Sequence, residues 1–142
     1  MLLGVLLISL AQAAPVAKVA VVDVSAPDEI YEDVSRALAD QVVEALKGTG
    51  VQAVRIDERD LPSSGCRLGP CLGVAARAIG AHVVVMVDAT EGSEESSAVK
   101  LAALWSNNGA PVAVAKYSVK ADQKKHPKQL LMFALEVAKA KR

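Results

Sequence analysis

The most hydrophobic of the predicted strands runs from His82 to Ala89 and reads HVVVMVDA. A run of valines without an intervening charge is typical of a β-strand that helices cover on both faces. Such strands lie in the interior of parallel or mixed sheets. The sequence therefore predicts an α/β fold in which residues 82–89 form the central strand.

The segments before this strand predict two more strands and two helices. Residues 17–24 (AKVAVVDV) are nearly continuous apolar sequence, and Val51–Asp57 is a second apolar run that polar residues interrupt, as suits a strand nearer the edge. Between them, a helix is predicted from Pro27, with an apolar stripe at helical spacing. A loop over Glu58–Pro70 precedes a short helix over Cys71–Ile79.

After the central strand, the sequence predicts a β-hairpin and a last helix. Ala98–Ser106 alternates between apolar and polar residues, Asn108-Gly109 is a two-residue turn signal, and Pro111–Val119 supplies the partner strand. His126-Pro127 leads into the closing helix. The predicted order is β-α-β-α-β-β-β-α, a single α/β domain of the three-layer type. Crossover helices imply parallel pairing of the first three strands, and the hairpin makes the sheet mixed.

Composition narrows the functional class. The 142 residues suffice for one ordinary domain, and 52% of them are hydrophobic, which excludes a disordered chain. Sixteen basic residues balance sixteen acidic ones, and the aromatic residues are one Trp, two Tyr and one Phe. A nucleic-acid-binding protein is not expected, because there is no basic excess and little to stack on bases.

The first residues have the outline of a secretory signal peptide. Residues 2–10 form a short apolar run, and the small-residue site Ala11-Gln12-Ala13 follows it. The run is about half as long as a membrane-spanning helix, and it has few of the β-branched residues that a buried first strand would contain. We expect residues 1–13 to be removed and residues 14–142 to form the domain. The protein would then be periplasmic or secreted, without a transmembrane segment.

Cys66 and Cys71 are the two cysteines of the chain. An even count in an exported chain predicts a structural disulfide, which would stabilise the protein by about 2 kcal/mol by restricting the unfolded chain. Two free thiols, or redox or metal chemistry, are the alternatives. A redox pair more often has two intervening residues, and a zinc site needs about four ligands.

Three carboxylates, Asp23, Asp57 and Asp88, fall near the carboxyl ends of the predicted parallel strands. Open α/β sheets bind ligands at that edge, and carboxylates are ligands of Mg²⁺ and Ca²⁺. A small-molecule or divalent-metal binding module at this edge is therefore the alternative function. Against it, the loop after the first strand lacks the glycines of a phosphate-binding loop, and acidic residues also end strands for structural reasons. We expect no resident cofactor or metal.

Three segments resemble a known group of exported domains. They are the first strand and helix, with Val19-Ala20-Val21-Val22-Asp23 and Ala37-Leu38-Ala39-Asp40, the helix–turn–strand segment from Cys71 to Val85, and the hairpin around Asn108-Gly109. The pattern is similar to the small α/β domain of the curli secretion lipoprotein CsgG and of the amino terminus of TolB. The resemblance implies a role in envelope assembly and protein contacts, and it has no catalytic motif whose residues could be transferred.

Taken together, these features predict a non-catalytic periplasmic interaction domain. Its partner would be another envelope protein or a second copy of the chain. The strand Val51–Asp57 and the hairpin strands are the expected sheet edges, and the unpaired backbone groups of an edge can accept a strand from a partner.

Overall fold

The computed structural model describes residues 18–57, 59, 61, 66, 69–93, 95–120 and 123–140. The predicted signal peptide, residues 1–13, lies outside the described residues. The described residues form helices and strands in the predicted order β-α-β-α-β-β-β-α. The elements are β1 (Lys18–Asp23), α1 (Glu32–Lys47), β2 (Gln52–Ile56), α2 (Gly69–Ala78), β3 (Val83–Glu91), β4 (Ser96–Trp105), β5 (Pro111–Lys120) and α3 (Lys128–Lys139).

The strands form one mixed sheet in the order β2-β1-β3-β4-β5. β1 pairs in parallel with β2 and with β3, whereas β4 pairs antiparallel with β3 and with β5. β3 is therefore the central strand, which confirms the prediction made from its valines. β2 and β5 are the edges of the sheet, and the polar residues within β2 agree with its position there.

Helices lie on both faces of the sheet and make three layers. Val83, Val85 and Val87 of β3 belong to the core cluster beneath α1 and α3. Val84 belongs to a second cluster on the opposite face, together with Leu72 of α2. Because successive strand residues point to opposite faces, one continuous run of valines serves both cores.

α1 begins later than the sequence predicts, at Glu32 instead of Pro27. Residues 27–29 form a turn. Ile30 then inserts into the core at 4% exposure, and the carbonyl oxygen of Glu29 accepts the N–H of Glu91 at the end of β3 (3.1 Å). These contacts hold the backbone outside helical geometry. Since proline suits a turn as well as a first helical position, its presence did not distinguish the two.

The predicted hairpin is present, but its two-residue turn is wrong. Residues 106–110 separate β4 from β5. Gly109 adopts the left-handed conformation with a φ of 72° and donates its N–H to the carbonyl oxygen of Trp105 (2.8 Å). The loop is longer because the N–H of Ser106 donates to the carbonyl oxygen of His82 (2.9 Å), before β3 begins, so the chain cannot turn back there.

Ser106 is buried at 5% exposure and joins three elements. Its hydroxyl lies 2.8 Å from the carbonyl oxygen of Ala81 and 3.0 Å from that of His82. Its own carbonyl oxygen accepts a hydrogen bond from the guanidinium of Arg77 in α2. α2 approaches this closely because of Gly73, where an added Cβ would lie 2.7 Å from the Ser106 carbonyl oxygen. We call this set of contacts the Ser106 junction.

Cys66 and Cys71 are joined by a disulfide bond, with their Cα atoms 5.5 Å apart. Cys66 is 2% exposed and belongs to the α2-side core cluster, and Cys71 packs against the same cluster from the first turn of α2. The bond therefore fastens the preceding loop to the beginning of this helix.

We expect the substitution Gly73→Ala to lower the free energy of unfolding by about 1–2 kcal/mol, because the new methyl group must displace the Ser106 backbone or α2 itself. This is a net figure, since alanine favours a helix over glycine by roughly 1 kcal/mol. The control is Val74→Ala, a neighbouring and 48% exposed position, which should change stability by less than about 0.5 kcal/mol. Urea unfolding followed by circular dichroism measures both. Unchanged stability of Gly73→Ala would contradict the close approach.

The double substitution Cys66→Ala/Cys71→Ala should lower the free energy of unfolding by about 2 kcal/mol, the value for closing so short a loop. The far-ultraviolet spectrum should keep its native form, because most of the core lies elsewhere. A reductant should shift the unfolding midpoint of the unsubstituted protein to that of the variant and leave the variant unchanged. Two free thiols in the unreduced, denatured protein would refute the bond.

Candidate functional site

A crevice of about 580 Å³ lies at the carboxyl ends of β1 and β2, between the β1–α1 loop and the loop that contains Cys66. Asp23 and Asp57 both line it. The two strands are parallel, so their carboxyl ends meet at one edge of the sheet. The structure thus brings together two of the three carboxylates that the sequence singles out.

Both aspartates already have partners in the fold. Asp23 Oδ1 accepts the N–H of Ser25 (3.0 Å), which forms the local turn that ends β1. Asp57 Oδ1 lies 3.5 Å from Arg55 Nη2, and Asp57 Oδ2 lies 3.6 Å from Arg59 Nη2. These contacts are the ones expected of carboxylates that end strands.

Asp88 lies on the other face of the sheet. Asp23 pairs in register with Val87, which faces α1, so the next residue of β3 faces the α2 side. There Asp88 stands opposite Lys100 of β4. Within the part of the chain that the structure describes, no three His, Cys, Asp or Glu side chains gather as metal ligands would.

A second candidate surface lies on the α2 side of the hairpin. α2 covers β1 and β3 and reaches Leu104 at the end of β4, but its core cluster includes no described residue of β5. Among the described residues, no helix covers the sheet beyond Leu104 on this side. We call it the open face; its residues are Ala98, Lys100 and Ala102 of β4 and Val114, Lys116 and Ser118 of β5.

Two rows of side chains cross the open face. Met86, Ala102 and Val114 stand opposite one another on β3, β4 and β5, and the next row is Asp88, Lys100 and Lys116. A groove of about 600 Å³ lies over both rows.

The sequence predicts docking through a sheet edge or the hairpin face, but it does not single out the open face. Its signal is the stretch Val112-Ala113-Val114-Ala115, in which both phases of an edge strand are apolar although only one phase can face α3.

The opposite side of β5 belongs to the hydrophobic core. Tyr117 is 7% exposed in the cluster beneath α1 and α3, and its hydroxyl has no hydrogen-bond partner among the described residues. Burial raises the pKa of the Tyr117 phenol above its ordinary value. A neutral, enclosed phenol of this kind is part of the core and is not available to a ligand.

The described helices include none that is both long and apolar enough to cross a membrane. No protein-family model matches the sequence, and no curated protein matches it.

Solved structures match the fold over most of the chain. Lipoprotein GNA1162 from Neisseria meningitidis has a TM-score of 0.55 at 16% identity, covering 84% of this chain and 91% of that chain. A PelC dodecamer from Paraburkholderia phytofirmans has a TM-score of 0.55 at 15% identity, covering 92% and 96%. The LpoB C-terminal domain from Salmonella enterica has a TM-score of 0.51 at 14% identity, covering 82% and 92%.

TolB from Acinetobacter baumannii is also among the similar structures, with a TM-score of 0.49 and 15% identity over 89% of this chain and 28% of that chain. CsgG is not among these neighbours, so that part of the resemblance stays an expectation. At such low identities the likeness concerns the fold alone. The chain therefore has an α/β fold of the kind seen in LpoB, GNA1162 and PelC.

Proposed function

We propose that this chain is an exported, non-catalytic docking domain of the cell envelope, which binds another protein through the β5 side of its sheet. The observation that carries the proposal is the exposure of β5. This edge strand is ten residues long, and Val114 in its middle is 73% exposed. A strand of this length presents a row of backbone donors and acceptors on which a partner segment can pair.

The side chains of β5 favour a selective partner over indiscriminate pairing. Pro111 begins the strand, and Lys116 and Lys120 are exposed along it. Proline and lysine on an edge oppose unspecific strand addition, yet they leave room for a partner with matching charge and spacing. This pattern supports a docking edge more than an incidental one.

The proposed function includes export of the chain to the cell envelope. The apolar run at residues 2–10 and the small-residue site at 11–13 support export. Among the fold neighbours, GNA1162 is described as a lipoprotein and PelC as a dodecamer. A protein of the envelope and a second copy of the chain are accordingly the two kinds of partner to test.

The alternative, a ligand or cation site at the carboxyl edge, retains Asp23 and Asp57 but not Asp88. Arg55 and Arg59 approach Asp57, and the Ser25 N–H occupies one oxygen of Asp23. A cation there would have to compete with these partners, so we favour docking.

Proline substitutions along β5 test the docking edge. The N–H groups of alternate residues bond to β4, and those between them point away. Val114→Pro and Ala115→Pro therefore differ. The substitution at the residue whose N–H bonds to β4 should destabilise the fold. The other variant should remain folded, as judged by circular dichroism, but it should no longer form the protein adduct that chemical crosslinking yields in intact producing cells.

The control for this scan is Gln52→Pro, at the first residue of the other edge strand, where proline is tolerated. It should keep the adduct. A folded β5 variant that retains the full adduct would contradict docking through β5. Absence of any specific adduct, combined with turnover of a substrate by the purified protein, would contradict a docking function altogether.

A calorimetric comparison at Asp23 tests the alternative. Asp23→Asn keeps an oxygen acceptor for the Ser25 N–H, so it should change stability by less than about 0.5 kcal/mol, whereas Asp23→Ala should cost about 1 kcal/mol. Millimolar Ca²⁺ or Mg²⁺ should leave the melting temperature of all three proteins unchanged. A rise that occurs in the unsubstituted protein and is lost in Asp23→Asn would establish a cation site.

A further inference from the structure

We infer that the open face binds an acidic, partly apolar segment of a partner protein. The inference rests on the proposed docking function and names its surface and the chemistry of its partner. It draws on the apolar row, the unbalanced lysines and the lack of a covering helix in the described part of the chain.

The contacts of α2 with the sheet end at Leu104 of β4 and do not reach the open face. The Ser106 junction holds α2 against the corner of the sheet through Gly73 and Arg77. On the other side of the sheet, α3 packs against β5, and Val99, Leu101 and Tyr117 are buried in the core cluster that contains α1 and α3. One face of the hairpin is thus closed by a helix of this chain, and the other is available to a segment from outside.

The floor of the groove is apolar. Met86, Ala102 and Val114 form a continuous row across three strands, and Val114 is 73% exposed. Covering an exposed apolar side chain such as that of Val114 with another apolar group lowers the free energy of the complex. The concave shape fits a narrow chain segment better than the plane of a membrane.

The charges beside this floor are unbalanced. Lys100 faces Asp88 on one side and Lys116 on the other, so a single carboxylate stands against two ammonium groups. Among the described residues, neither lysine forms an ion pair within 4.0 Å. Like charges directly opposite one another on a sheet repel. A carboxylate from a partner would relieve this repulsion while its apolar neighbours cover Val114.

A second copy of this chain fits the open face less well. Two open faces stacked on each other would bring the lysine pairs of both copies together. The other exposed apolar patch lies on α3, at Leu131, Met132 and Leu135, where Lys128, Lys139 and Glu136 are the charged residues of the helix. Two lysines against one carboxylate leave both surfaces with a net positive charge, so an acidic partner is the better complement.

Site-specific photocrosslinking from Val114 tests the inference in the full chain within the producing cell. With p-benzoylphenylalanine at position 114, we expect a protein adduct whose crosslinked peptide carries Asp or Glu beside apolar residues. Adding Lys100→Glu and Lys116→Glu should lower the adduct yield by about tenfold or more, because the like charges then repel the partner. The matched control, Lys47→Glu on the exposed end of α1, should leave the yield unchanged.

If the double charge reversal unfolds the protein, Lys116→Gln replaces it, since this change removes a charge and relieves the lysine repulsion. The adduct yield should then fall by about threefold or more. A crosslinked peptide without acidic residues, a peptide from this chain itself, or a lipid adduct would overturn the inference.

A matched probe at Gln52 on β2 separates this inference from the proposed function. An adduct at Gln52 without one at Val114 would overturn the open face as the docking surface and leave a docking function in place. No protein adduct from either strand would contradict both.

Discussion

The hydrogen bonds of one buried serine hold together the corner of the sheet against which α2 packs. Ser106 bonds to the backbone just before β3 through both its N–H and its hydroxyl, and its carbonyl oxygen binds Arg77 of α2. The end of β4, the beginning of β3 and one helix are therefore fixed to one another at a single point. α2 is held at this corner, at the end of β4, and its core cluster includes Leu104 but no described residue of β5.

The two faces of the hairpin differ in the size of their side chains. On the α3 side, aromatic and branched side chains fill the space, including Phe133 and Tyr117. On the other side, the β4 residues that alternate with lysine are alanines, and the outer strand carries one exposed valine. Small residues keep that surface low and produce a groove. An interaction surface of this kind needs no catalytic motif.

The sequence predicts the features that follow from continuous patterns. The valines of β3 predict its central position, and two crossover helices predict parallel pairing, because these patterns reflect burial on both faces of the sheet. Prediction from the sequence fails where a contact between distant residues decides the local conformation. The start of α1 depends on the bond between Glu29 and Glu91, and the hairpin loop depends on Ser106 reaching His82. The placement of Asp88 depends on β3 continuing past the end of β1, and the open face depends on the reach of a helix; neither is encoded in nearby residues.

The position of β3 between two kinds of neighbour also shapes how the chain reaches its fold. Its antiparallel partner β4 follows directly along the chain, whereas its parallel partner β1 lies far away in sequence and must be brought back across two helices. Local pairing requires less loop closure and forms faster. A chain with its hairpins formed and β1 not yet in place exposes one edge of β3, the most apolar strand of the protein. Unpaired strands of this composition associate with one another. Pairing with β1 covers this edge of β3 and so removes a surface on which unfolded chains could associate.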